Sequence, residues 1–360
     1  MDNPELQCLA VGGQAVIEGV MMRGPSCLAV AVRNPKGQLV VRDQPWRSIW
    51  ERLRFLRWPF LRGAVVLVES LANGMRALAY SADIAAQGLP AEDGEPAPAA
   101  GDSSGPSLWL VLVPTLVFAL LVFKGVPHVV ALGLDAWAGG RGTSGWRFHV
   151  LDGVVKLLLF VGYILLISRM KDVRRVFAYH GAEHKAIAAH EAGEALTVAN
   201  ARRHSRFHPR CGTAFLLYVI GIGVLLYMAL LPLLPPLASA GWLDQALLIL
   251  LKIALLFPIA GLSYEVIRLA GKFGRHRVVR LLIAPGLALQ RLVTREPTDD
   301  QLEVALAAIA TALAREEATR RARAGEDLAV PPEREQVFAD YAAFRAGLET
   351  WYPRAARESA

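Results

Sequence analysis

The chain has 360 residues, 54% of them hydrophobic and 20% charged, with a mean hydropathy of +0.35. Soluble domains carry about 25% charged residues, so this composition excludes an ordinary soluble enzyme, a fibrous protein and a largely disordered chain. The apolar excess falls in stretches near the ~20 residues that span a bilayer, and the net charge of +7 then belongs to basic loops on one membrane face rather than to a nucleic-acid surface.

The N-terminus has no basic region followed by an apolar run, so a cleavable signal is not expected and insertion is assigned to internal spans. Cys8, Cys27 and Cys211 are an odd count without close spacing, which argues against a disulfide framework and for a reducing compartment. Cys8 and Cys27 read as small buried hydrophobes.

Residues 8 to 43 read as β structure, with Asn34-Pro35-Lys36-Gly37 as a turn between the last two strands. Glu18 is a lone acid in an apolar strand flanked by Gly12-Gly13 and Gly19, glycines of the kind that mark bulges or close backbone approach. It reads either as an edge-strand carboxylate or as a group directed at a site. The N-terminal unit is placed at 1–58. Pro59 suits the first turn of a helix over 59–82, on which Arg62, Glu69 and Arg76 form one stripe, as in an interfacial or bundle-packed helix. Residues 83–107 have the composition of a flexible linker.

Four apolar stretches follow, at about Leu108–Phe123, Val150–Ser168, Thr213–Leu234 and Trp242–Val266, the first extendable through Val126 to Leu134. They define a four-span membrane domain over 108–268. The connection 169–211 carries nine Lys or Arg against four acids, whereas 124–149 carries three basic residues and 235–241 none. The basic loop is therefore expected in the cytoplasm, and with four spans both termini with it. Arg268 to Gly286 reads as a basic amphipathic segment at the headgroup layer, and Thr298-Asp299-Asp300-Gln301 as the capping box of an Ala/Leu-rich helix to about Arg323. Residues 269–360 are taken together as an interfacial segment and helical tail. The fold class expected is mainly α and integral to the membrane, with about four transmembrane helices, a small N-terminal β unit and a cytoplasmic helical tail.

The residues with most chemical content are Tyr179-His180-Gly181-Ala182-Glu183-His184-Lys185, which contain H-x-x-E-H. On a helix His180, Glu183 and His184 project from one face. Two imidazoles four residues apart can clamp one divalent metal, Zn²⁺ by ligand type, and the carboxylate between them can take a proton from metal-bound water, as in inverzincin metalloproteases. A hydrogen-bonded polar cluster at a span end is the alternative. A third ligand is sought among His208 and Cys211, delivered to the same membrane edge by the start of the third span, and Glu265 at the cytoplasmic end of the fourth. For Glu265, pairing with Arg268 three residues on is an equal reading. Glu191 shares the His180 face if the helix extends that far. Asp152, Lys156 and Lys252 read as groups paired within the bundle or snorkelling, with an ion path as the alternative. No Walker loop is present, and no dinucleotide-binding glycine fingerprint follows a strand.

The blocks Gly12 to Gly24, Tyr179 to Lys185, His208 to Gly212, Ser263 to Arg268 and Pro285-Gly286-Leu287 resemble the YqhQ-like family of uncharacterised bacterial multi-pass membrane proteins, over most of residues 8–305. The resemblance implies a metal-dependent enzyme without an established substrate, in a bacterial inner membrane. The chain departs from the family's usual Leu-Thr-Val-Glu-Asn with Leu196-Thr197-Val198-Ala199-Asn200, so residue 199 offers no acidic ligand.

The reading that follows is a membrane-embedded metal-dependent hydrolase open to the cytoplasm, acting on a peptide, lipid or other amide or ester bond at the bilayer surface. Glu183 would be the base, and Tyr179, Lys185 or Arg210 would stabilise an oxyanion. The competing reading is a non-enzymatic scaffold or partner-binding protein in which the same residues form a closed structural metal site tying the loop to the β unit. The partners expected are the bilayer and an unidentified substrate or protein at the cytoplasmic face, with no nucleic acid.

Overall fold

The computed structural model describes residues 9, 11–51, 53–58, 61–87, 114–115, 117–119, 121–140, 142, 145–235, 237, 239–273, 276–326, 328 and 330–352. The linker expected at 83–107, apart from the end of the helix before it, most of the start of the first span and the helix-initiating Pro59 lie outside these residues.

Four strands, β1 Gly12–Val16, β2 Gly19–Arg23, β3 Cys27–Arg33 and β4 Leu39–Pro45, form an antiparallel meander. Val16 pairs with Gly19, so Ile17 and Glu18 alone make the first turn, and Glu18 takes φ +52°. That left-handed backbone is uncommon for a residue with a Cβ. Glu18 is thus a turn residue and not the strand residue its sequence suggests. Gly37, at φ +80°, closes the β3–β4 turn, where the Asn34 side chain accepts from the backbone N–H of Lys36 and Gln38.

β3 is buried on both faces, which explains its unbroken apolar run. One face of the sheet, including Met22, Cys27, Ala29 and Val41, packs on the helices α4 (Lys171–Glu191), α10 (Asp299–Arg323) and α11 (Tyr341–Trp351). The other, including Met21, Val30 and Val40, packs on Ala77 and Ile84 of α1 (Leu61–Ala86). The expected capping box forms, with Gln301 accepting from the Thr298 N–H, and α10 is buried at the centre of the packing against the sheet. A fifth strand, β5 Arg334–Phe338, pairs with β4 through Leu39–Phe338 and Asp43–Arg334. The two ends of the chain therefore fold into one sheet-and-helix unit.

Among the described residues, four helical runs are long and apolar enough to cross a membrane: Val117–Trp137, Trp146–Ile167, Gly212–Leu233 and Gly241–Leu269. Residues 108–113 lie outside the described residues, and the first run continues through Val126 to Leu134, as the extended reading expects. It contains a π-helical segment, Leu121–Gly125, before α2 (Val126–Trp137), next to Pro127, which has no N–H to donate. α3 (Trp146–Ile167) and α6 (Gly212–Leu230) are continuous. The fourth run breaks at Leu255 into α7 (Gly241–Ala254) and α8 (Leu256–Phe273), because Pro258 cannot donate to the carbonyl four residues back. A short α5 (Val198–Arg203) lies in the basic loop, and α9 (Arg277–Val293) exposes Val278, Leu281 and Leu282, as the amphipathic reading requires.

α1 couples the two parts. Gly63 meets Gly261 and Tyr264 of α8, and Arg62 forms a two-bond ion pair with Glu265, while the far end of α1 lies under the sheet.

Candidate metal centre

α4 carries Tyr179 to Lys185 directly after the second span, and Cys211 is the N-cap residue of α6, so the ends of two consecutive spans bring these side chains to one place. One ligand atom from each of His180, His184 and Cys211 lies within 4.8 Å of the others, and all three residues are buried. His180 Nε2 is 3.2 Å from Cys211 Sγ, and the His180 and His184 rings are 4.4 Å apart.

The other ring nitrogens decide the chemistry. His180 Nδ1 lies 2.8 Å from the Val293 carbonyl and His184 Nδ1 2.6 Å from the Arg206 carbonyl. A carbonyl only accepts, so both Nδ1 atoms carry the proton and both Nε2 lone pairs are open. His184 Nε2 is buried without a partner. Two imidazoles fixed through Nδ1 by backbone carbonyls, with Nε2 directed at a thiol, are oriented as metal-ligating histidines are. The donor set of two nitrogens and one sulfur fits Zn²⁺. Burial also holds the His184 pKa below its ordinary value.

Glu183 is 5% exposed, and burial raises its pKa, opposed by the nearby His180 and His208. It lies against Gly13 of β1, where no side chain intervenes. His208 stands beside this group without joining the three ligands. Its backbone N–H and carbonyl are clamped by the Gln290 side chain at 2.8 and 2.7 Å, its Nε2 is 3.3 Å from Glu191, and its ring centre is 5.7 Å from that of His184. Arg210, in the same loop, pairs with Glu191.

The remaining candidates go elsewhere. Glu265 is held by Arg62, with Arg268 at 3.8 Å, and is not among the clustered ligand atoms. Glu18 pairs with Arg175 and accepts from the hydroxyl of Tyr179, the residue before His180, at 3.3 Å. Lys185 is buried, donating to the Arg202 carbonyl at 3.0 Å and pairing with Glu296 at 2.6 Å. Sequence reasoning missed Gln290, Thr213, whose hydroxyl is 3.0 Å from Cys211 Sγ, and the carbonyls of Val293 and Arg206. Backbone acceptors leave no residue-type signal.

Residues 58–315 match a protein family described as a protein of unknown function, DUF1385. The protein described as uncharacterized protein YqhQ of Bacillus subtilis (strain 168) is 35% identical over 298 residues, covering 82% of this chain and 90% of that protein. No solved structure matches.

Proposed function

Because the chain belongs to the DUF1385 family, the family of YqhQ, whose description assigns no activity, the function has to come from the site, and we propose a membrane-embedded, metal-dependent hydrolase. The observation that carries this is the shared tautomer of His180 and His184, each with Nδ1 on a backbone carbonyl and Nε2 beside Cys211. Those three residues would hold a divalent ion, Zn²⁺ by donor type, and three protein ligands is the count of catalytic rather than structural zinc. When bound, the ion supplies Lewis acidity toward a scissile carbonyl.

Glu183 does the proton work in this reading. Burial raises its pKa above the ordinary carboxyl value, the direction that suits a group that both accepts and returns a proton. All three expected oxyanion groups have acidic partners, Tyr179 with Glu18, Lys185 with Glu296 and Arg210 with Glu191, and Arg210 is the one adjacent in sequence to Cys211. The site lies midway along α4, the helix that follows α3, and at the N-cap of α6, so its substrate would be an amide or ester bond near the membrane surface. The nine basic residues of 169–211 favour a cytoplasmic position for it and for both termini, in an inner membrane. A reporter fused near Arg203 that reads extracytoplasmic would overturn that orientation.

Burial of all three ligands favours one other reading, a closed structural metal site in a scaffold protein. Elemental analysis of purified wild type, His180→Ala and His184→Ala tests the metal. Glu183→Gln separates the readings: the hydrolase requires metal content and abundance to persist while rescue of a deletion phenotype fails, by on the order of 10²–10⁴ in rate. Full rescue by Glu183→Gln would leave only the scaffold.

A further inference from the structure

A second polar cluster lies inside the membrane domain, at the end of the bundle opposite the metal-ligand group. Asp152 of α3 is 1% exposed, and its Oδ2 takes hydrogen bonds from two ammonium groups, Lys156 Nζ at 2.6 Å and Lys252 Nζ at 2.9 Å. Lys252 Nζ is also 3.1 Å from His128 Nδ1, and His128 Nε2 is 2.9 Å from Gln245 Oε1. Since the ammonium and the amide oxygen fix the donors, His128 is neutral, with its proton on Nε2. Lys124 joins from the first span. Its Nζ, with those of Lys156 and Lys252, lies 5.6 to 5.8 Å from the Tyr227 ring.

The charges do not balance. Asp152 is the one carboxylate paired with Lys156 or Lys252 among the described residues, so at this cluster two lysines, or three with Lys124, stand against one acid, while Asp135, also buried in the first apolar run, accepts from the Gly142 N–H. Uncompensated charge among membrane spans is costly and marks a functional path or ligand. The hydrogen bonds do not balance either. Each ammonium has three donors, and Lys252 uses two and Lys156 one on the acceptors above. On the other side, Asp152 Oδ1 is buried with no donor.

We propose that this cluster binds a small oxyanion that still carries an O–H, with hydrogenphosphate as its type. The oxygens would accept from the spare lysine donors, the negative charge would balance the excess cation, and the O–H would donate to Asp152 Oδ1. A fully deprotonated oxyanion would instead place an oxygen against Asp152 with no proton between them. Asp152 lies within about two turns of Trp146 at the end of α3 remote from α4, so entry is from the bilayer face opposite the metal centre. The anion's source is either free phosphate or the phosphomonoester headgroup of a lipid.

The test is binding of inorganic phosphate and of sulfate to the full-length protein in detergent, by calorimetry at pH 7 and fixed ionic strength. Phosphate should bind one per chain and sulfate at least roughly a hundredfold more weakly, because a buried polar group left unpaired discriminates strongly. Asp152→Asn, which keeps the shape, should bring the two affinities to within about tenfold, and Lys252→Met should abolish phosphate binding. Native mass spectrometry from nanodiscs holding phosphatidic acid or phosphatidylglycerol separates the sources, since a headgroup site retains only the former. Equal binding of sulfate, absence of binding by both phosphate and phosphatidic acid in folded wild type, or phosphate binding unchanged in Lys252→Met would each overturn the proposal. The comparison of ligands on wild type stands even where a lysine variant fails to fold.

Discussion

Gly13 of β1 lies directly against the Glu183 side chain: a Cβ at Gly13 would sit 2.7 Å from both Cγ and Oε1 of Glu183. The first strand thus sets the position of the carboxylate between the two histidines, although 170 residues of sequence separate them. Of the Gly12-Gly13 pair, Gly13 is a close-approach glycine in the sense the sequence suggests, whereas a Cβ at Gly12 would meet nothing within 4 Å.

Gly13→Ala is therefore expected to displace Glu183 without touching the ligands. Forcing one methyl into a packed contact costs about 1–3 kcal/mol, too little to unfold a chain of this size on its own account. Metal content and membrane abundance should remain near wild type while rescue of a deletion phenotype falls to the level of Glu183→Gln. Wild-type rescue by Gly13→Ala at normal abundance would remove Gly13 as a positioning residue.

The site was legible where chemistry sits on regular elements. Helical geometry alone puts His180, Glu183 and His184 on one face, and the span boundary at Gly212 delivers Cys211 to the same edge. What decides ligand character was not legible, because Val293 and Arg206 act through backbone carbonyls that any residue provides. Glu265 illustrates the limit from the other side: its nearer sequence partner Arg268 is 3.8 Å away, while the bonded partner, Arg62, comes from a helix some 200 residues earlier. The fold shows the same division. Apolar spans and the capping box announce themselves, whereas β5, Arg-Glu-Gln-Val-Phe, is an edge strand with three exposed residues and no alternating pattern to reveal it.

Arg315 fastens the C-terminal part to the sheet. It is 2% exposed on α10, donates to Asp43 of β4 and to the Pro331 carbonyl at 2.6 Å, and lies 3.3 Å from the Tyr352 hydroxyl, which itself donates to Asp43. Arg315→Met should be strongly destabilising, by about 3–5 kcal/mol, because Asp43 is left buried and charged. Asp43→Asn in the same chain should recover a large part of that loss by removing the stranded charge. Denaturant titrations of the single and double variants in detergent check this. An additive double variant would show that the two residues do not act as a pair.

His190, at the C-terminal end of α4, supplies a pH dependence apart from the His180, His184 and Cys211 cluster. It is 5% exposed, its Nε2 donates to the Leu9 carbonyl at 3.2 Å, and burial lowers its pKa below the ordinary 6.5, with that hydrogen bond opposing. Above about pH 6.5 the imidazole is neutral in both folded and unfolded chains, so it contributes no slope. As pH falls through 6.5 the unfolded chain takes up a proton that the folded chain refuses, and stability declines until the folded pKa is passed. His184 and His208 act with the same sign, again through burial. Glu183 acts oppositely: its raised pKa penalises folding at higher pH, and acidification lifts that penalty. In metal-free protein these imidazoles should withdraw stability as the pH falls below 6.5, with Glu183 opposing them. His190→Gln keeps an N–H for the Leu9 carbonyl and removes the proton uptake. It should reduce the slope by up to about 1.4 kcal/mol per pH unit in chemical denaturation of chelator-treated protein. Identical slopes for wild type and His190→Gln would show that His190 does not resist protonation in the fold.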